Sequence, residues 1–286
     1  MTTPLPFLSR LAAIAVAAVG IVAVPSAGAA PSVWESALAL YSFSQNLNDS
    51  NGGNNGISWR LTGDSAEPAS YMDAGASELP GWDGWALSLS DTRYVNLGQG
   101  EENAFQITGS LTLFARVYIE AAGASAAIIS KDAANGNRSY ALRLDDLSET
   151  GGTLAARFNG SKSISFTSPE IRTGVWLDVV VVYDAGQSIE LFLNGVSVGK
   201  ETSGIPTSLI PNAATPLLLG AQPFGTPIGS SNWTGLMERA AIWNMALTGD
   251  EVRSLSVIPE PGAAGLLSGL VVVMGGLQLR RRFRKA

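Results

Sequence analysis

The side chains able to do chemistry in this 286-residue chain are acids, amides, hydroxyls and tryptophans, because there is no histidine and no cysteine. Without His the commonest general base is missing. Without Cys or His, zinc has none of its usual ligands and disulfides cannot form. A serine nucleophile would need a lysine as its base, an arrangement the sequence leaves open. Asp145 and Asp146 are adjacent, so on a strand they point to opposite faces. The stretch 49–60 has the length of a calcium loop. Its sixth position is Asn54 where glycine is required, and its twelfth is Arg60 where a bidentate Glu is required. Tryptophans offer another chemistry, since their flat apolar rings can stack on the C–H faces of sugars. Trp82 and Trp85 lie in the Gly-rich stretch PGWDGW, and Trp59 and Trp233 at loop-like positions, so these four are the candidate ligand-binding aromatics. Trp176 and Trp243 have apolar strand neighbours and read as core.

The elements that must position these residues are strands. In LTLFARVYI, residues 111–119, Leu111, Leu113, Ala115, Val117 and Ile119 share one face. WLDVVVVY, residues 176–183, is apolar on both faces and predicts a central strand between packed layers. Asn194-Gly195 supplies the positive φ angles of a type I′ turn between strands at 189–193 and 196–200. Further strands are expected at 37–43, 85–89, 126–131, 140–144, 153–158, 163–167, 217–219 and 235–243. About a dozen strands joined by short turns predict an all-β, antiparallel β-sandwich. One short helix is expected at 250–255, opened by the capping box Thr248-Gly-Asp-Glu251.

The two ends read differently. Residues 1–30 have a positive Arg10, an apolar run at 11–24 and the small residues Ala27-Gly28-Ala29, the pattern of a secretory signal. Residues 31–256 form the body. Residues 257–286 hold Pro259-Glu260-Pro261, an uncharged apolar run at 262–279 and a basic end at 280–285. At 1.5 Å per residue that run spans about 27 Å, enough to cross a bilayer core. Its basic end would stay in the cytoplasm, leaving the body outside. Of 18 Lys and Arg, one lies in the first segment and five in the last, so the body has 12; of 24 Asp and Glu, all but Glu260 lie in the body, so it has 23. A body this acidic repels phosphate backbones and argues against nucleic acid as a partner.

Two resemblances follow from these residues. Pro259-Glu260-Pro261, the apolar span and Arg280-Arg281-Arg282 resemble the PEP-CTERM sorting signal of Gram-negative bacteria. That resemblance implies recognition by exosortase, a membrane-embedded protease. It also implies a transient inner-membrane anchor, then release to the cell surface or extracellular matrix, where exopolysaccharide is a partner. The two prolines keep Glu260 out of a helix and within reach of such a protease. The body resembles the LamG-like, or concanavalin A-like, jelly roll. The resemblance rests on the order of ALALYSF, the Asn/Gly loop at 48–56, GWALSLSDTRYVNLG, SLTLFARVYI, AIISKD, YALRLDD, WLDVVVVYD, IELFLNGVSVG and WTGLMERAAIWNMALTGDEV.

The second resemblance implies a structural Ca²⁺ held by Asp49, Asn51 and Asn54 of the first loop and Glu238 of the final strand, where the family usually has Asp. Glucanases on this fold use paired carboxylates two or four residues apart on one strand, and no Glu-x-Asp-x-Glu occurs here. The expectation is therefore an exported, non-enzymatic binding module with a carbohydrate or glycoconjugate ligand. A protein-binding adhesion module and a divergent glycoside hydrolase are the two alternatives.

Overall fold

The structure is a computed structural model that describes residues 32–61, 65–74, 83–90, 92–121, 125–133, 138–148, 150–224 and 231–256. The expected secretory signal at 1–30, Trp82 and the expected sorting tail at 257–286, including Pro259, Glu260, Pro261, Arg280, Arg281 and Arg282, lie outside the described residues. Among the described residues no helix is long and apolar enough to cross a membrane.

Alternation builds two antiparallel sheets. The strands are β1 (Ala39–Tyr41), β2 (Ile57–Arg60), β3 (Ser65–Ala66), β4 (Ser70–Asp73), β5 (Trp85–Ser88), β6 (Arg93–Asn96), β7 (Leu111–Ile119) and β8 (Ala126–Asp132). They continue with β9 (Arg138–Asp145), β10 (Gly152–Phe158), β11 (Lys162–Ser168), β12 (Trp176–Asp184), β13 (Ser188–Leu193), β14 (Val196–Glu201), β15 (Leu218–Leu219) and β16 (Gly235–Trp243). The first sheet runs β14-β13-β12-β7-β16-β5-β4, with β1 also paired to β16. The second runs β11-β10-β9-β8-β15-β6-β2-β3. The sheets pack face to face as a β-sandwich. The apolar positions of the alternating strands fill the space between them, among them Leu113, Ala115 and Val117 of β7, Leu142 and Leu144 of β9, and Val179 and Val181 of β12.

The expected type I′ hairpin is present, with φ of +50° at Asn194 and +77° at Gly195. The short helix α1 (Gly249–Ser256) is capped as its sequence predicts. Thr248 Oγ1 accepts from the Glu251 amide, and Glu251 Oε2 accepts from the Thr248 amide at 2.7 Å. Val252 and Leu255 of α1 cover the outer face of the first sheet, with Phe114, Val180, Phe192 and Trp243. A 3₁₀ turn at Val33–Ser36 packs on the same face, where the Trp34 ring meets Phe114 edge-on at 5.1 Å. Trp243 Nε1 donates to the Val33 carbonyl. Both ends of the described chain therefore lie against the outer face of the first sheet.

Candidate functional site

The outer face of the second sheet carries a polar strip. On β9 the alternation that sends Tyr140, Leu142 and Leu144 inward turns Ser139, Ala141, Arg143 and Asp145 outward. On β10 the same rule turns Ala155 and Arg157 outward, and the register sets Ala155 opposite Arg143 and Arg157 opposite Ala141. On β8 two register irregularities, at Ala127/Ile129 and Ser130/Asp132, break the alternation and bring Asp132 opposite Arg138. Such bulges re-aim side chains. Ala141 and Ala155 are small and buried, so the strip has a low floor between charged walls.

The two ends of the strip differ electrostatically. Asp145 accepts from Ser125 Oγ at 2.6 Å, from Arg143 Nε at 2.9 Å and from Arg157 Nη2 at 3.4 Å. Burial pushes its carboxyl up, but the bonds from Ser125 and Arg143 and the charges of Arg143 and Arg157 outweigh that and hold it below the usual carboxylate range. Asp132 lies at the other end. Its side chain is only 1% exposed and sits 3.5 Å from Arg138 Nε. Neither of its oxygens accepts a hydrogen bond. Burial raises its carboxyl above the ordinary range, against the opposing charges of Arg138, Arg157 and Arg143. The hydroxyl of Ser139, next to Arg138 on β9, is likewise buried without a partner. Gln222 joins the ends, donating to the Asp132 carbonyl at 2.9 Å and accepting from Arg143 Nη1 at 3.2 Å.

Buried polar atoms are nearly always satisfied, by protein, water or ligand. Both oxygens of Asp132 are closed to solvent as well as unpartnered, whereas Arg138 and Arg157 are 33% and 34% exposed and keep donors that an outside acceptor can reach. Arg138 owes its position partly to Gly160, in the turn between β10 and β11. A Cβ there would lie 2.6 Å from Arg138 Cδ, so the missing side chain is what lets the arginine stem cross the turn.

The residues expected to bind are distributed differently. Trp59 does lie on the outer face of the second sheet, on β2, packed against Tyr94, Leu218 and Ala221. Trp85 opens β5 and is half-buried. Trp233 is fully buried in the core, which removes it as a stacking platform; its place is set by the close approach of β16 to β7 at Gly235. Trp243 is buried as expected, whereas Trp176 is only half-buried on the outer face of the first sheet. There it lies 5.5 Å from Tyr118, with the Arg116 guanidinium over its ring. The alternation of β12 puts Trp176 on the face opposite Leu177 and Val179.

The calcium residues do not fit a shared ion. Asp49 accepts from the backbone amides of Leu40, Asn51 and Asn54 and from the Asn54 side chain, so both its oxygens are occupied by N–H donors. Asn51 donates to the carbonyls of Trp34 and Ala37. Glu238 accepts from Arg116 Nε at 2.7 Å, and a guanidinium beside a carboxylate repels a cation. Among the described residues no group of three or more acids could hold a metal ion.

A sequence profile described as the concanavalin A-like lectin/glucanases superfamily (Laminin_G_3) matches residues 89–253. No curated protein matches the chain. Among solved structures it is similar to domain 4 of AbnA, an extracellular arabinanase of Geobacillus stearothermophilus solved in complex with arabinotriose. The TM-score is 0.54 and the identity 20%, over 77% of this chain and 97% of that one. It is also similar to the binding domain of Paraclostridial Mosquitocidal Protein 1, with a TM-score of 0.55 and 13% identity, over 78% of this chain and 52% of that one.

Proposed function

Because the chain belongs to the concanavalin A-like lectin/glucanases superfamily, we propose that it is an exported, non-catalytic module that binds carbohydrate through the outer face of its second sheet. The observation that carries this reading is a pair of part-exposed guanidiniums on one strip, Arg138 beside the sealed carboxylate of Asp132 and Arg157 beside Asp145, each with donors still to give. Sugar hydroxyls and ring oxygens accept, so a saccharide can take the donors that these guanidiniums still hold. The arabinotriose bound by the arabinanase domain supports a saccharide ligand on this fold. Trp59 offers an apolar surface on the same face, three strands from β8 in the sheet order.

A hydrolase is disfavoured by how the acids of the strip are buried and paired. Asp132 lies opposite Arg138, and Asp145 is seven residues further along β9. Both acids are held by arginines, Asp132 by Arg138 and Asp145 by Arg143 and Arg157, and the Asp132 oxygens are closed to solvent, so the two are not the exposed facing pair a glycosidase uses.

Both described chain ends lie on the outer face of the first sheet, so a C-terminal tether leaves the Asp132 face turned away from the point of attachment. This suits a protein exported by its first 30 residues, anchored through 262–279 and released to the cell surface or matrix by an exosortase acting near Pro259-Glu260-Pro261. The test is binding of the chain to a glycan array, with D132N and W59A beside the unaltered protein. D132N keeps the shape but removes the charge beside Arg138, and it should weaken retention. Undiminished binding by D132N would place the sugar elsewhere.

A further inference from the structure

We infer that the saccharide is anionic, its oxyanions taken by the free donors of Arg138 and Arg157. This rests on the carbohydrate reading of the same strip and adds the class of sugar.

The first support is the local charge balance. Along the strip three arginines, Arg138, Arg143 and Arg157, face two carboxylates, Asp132 and Asp145. Asp145, at the far end, is already served by Ser125, Arg143 and Arg157. Positive charge therefore exceeds negative by one along the strip, and a neutral sugar would leave that excess uncompensated.

The second is the state of the guanidiniums. Arg138 is 33% exposed, and among the described residues its guanidinium has only the 3.5 Å approach to Asp132. Arg157 is 34% exposed, with one long contact to Asp145 at 3.4 Å. Each keeps most of its five donors free in a planar fork, and such forks match carboxylate and sulfate oxygens two at a time. Gly160 holds the Arg138 stem against the turn, so part of this geometry exists before a ligand arrives.

The third is the contrast with the rest of the body, where acids outnumber bases by 23 to 12. An anion is repelled by most of that surface, and three of the twelve basic residues converge on this strip. The field is thereby focused at one place, which favours selective capture of an acidic ligand.

The experiment is an array of uronic-acid, sialylated and sulfated oligosaccharides printed beside their neutral counterparts, probed with the exported protein at low salt. The anionic members should bind at least about tenfold more tightly than their neutral partners, the scale of one charge-assisted hydrogen bond. The difference should collapse at about 0.5 M salt. R138Q and R157Q alter half-exposed side chains and should remove the preference; unchanged melting temperatures would show that the fold is intact. The carboxylated and sulfated arms tell which oxyanion is read. Retention confined to neutral sugars, equal retention of both kinds, or a preference that survives R138Q and R157Q together overturns the inference while leaving the carbohydrate reading in place. An array that retains nothing overturns both.

Discussion

Glu238 is the extra residue where β16 bulges against β7, and Arg116 of β7 donates to it from Nε at 2.7 Å. The same guanidinium donates from Nη1 to Asp178 of β12 at 2.9 Å and lies over the Trp176 ring. One arginine thus ties three neighbouring strands, and the acid expected to hold calcium serves a cation of the protein instead.

R116A should therefore destabilise the fold by about 3 kcal/mol, because it takes the guanidinium away from a carboxylate that is fully buried. Thermal melts in calcium and in chelator should superimpose. An ion that bound only the folded state at a hundredfold excess over its dissociation constant would add about 2.7 kcal/mol. A clear upward shift in calcium would restore the clamp between Asp49 and Glu238.

The tryptophans should separate into three kinds. W233A should cost about 3–5 kcal/mol, since Trp233 is fully buried. W176A should cost far less than a core substitution, mainly through loss of its contacts with Tyr118 and Arg116. W59A should weaken sugar binding more than it lowers stability. Denaturant titration of the three variants, with sugar binding measured on each, checks the order.

Two glycines carry separate duties. Gly235 has φ of +149°, and a Cβ there would collide with the Tyr118 carbonyl oxygen. G235A should therefore cost about 3 kcal/mol or more, seen as a fall in the denaturant midpoint. G160A instead pushes on the Arg138 stem, and its φ of +68° adds strain. It should lower affinity for an acidic sugar by more than its modest loss of stability accounts for.

Most of the sandwich was legible in sequence because long strands buried on one face announce themselves by alternation. β7 and β16 coincide with their expected limits, and β8 to β14 differ from theirs by one or two residues at an end. β2, β3 and β4 were not, because two to four residues are too few to show a period. The site was readable only in part. Arg143 and Asp145 alternate with Leu142 and Leu144, so their shared outward face could have been found. Asp132 could not, because the β8 bulges that bring it opposite Arg138 leave no mark in the hydrophobic pattern. Trp233 looked exposed because it stands among Ser, Asn and Gly, yet its backbone donates to Gly220 and its ring enters the core.

Lys131 gives a pH-dependent test. It is fully buried and donates to the Thr215 carbonyl, and burial lowers it to about 8 from an ordinary value near 10.5. Between those values the unfolded chain holds a proton that the folded chain has released, so stability rises with pH across the window. Below about 8 both states are charged and the penalty is constant. The span corresponds to roughly 3 kcal/mol. K131M should flatten that rise, and it should raise stability at neutral pH unless the unpaired Thr215 carbonyl offsets the gain. Chemical denaturation of both proteins between pH 7 and pH 10.5 isolates the contribution, since the tyrosines titrate alike in each.

The tail gives the last test, because an anchor and a label demand different things of the same residues. A plain anchor needs only apolarity over 262–279 and flanking positive charge. E260Q, or P259A with P261A, changes neither and should then leave the protein's fate unaltered. A label read by a protease needs the triplet itself, which begins three residues beyond the end of α1 at Ser256. We therefore expect the substituted chains to remain full-length and held in the membrane, and the unaltered chain to appear outside the cell without its apolar span and basic end. Intact mass of the mature protein decides between them. A mature mass that still includes Arg280 to Ala286 makes the segment an ordinary anchor.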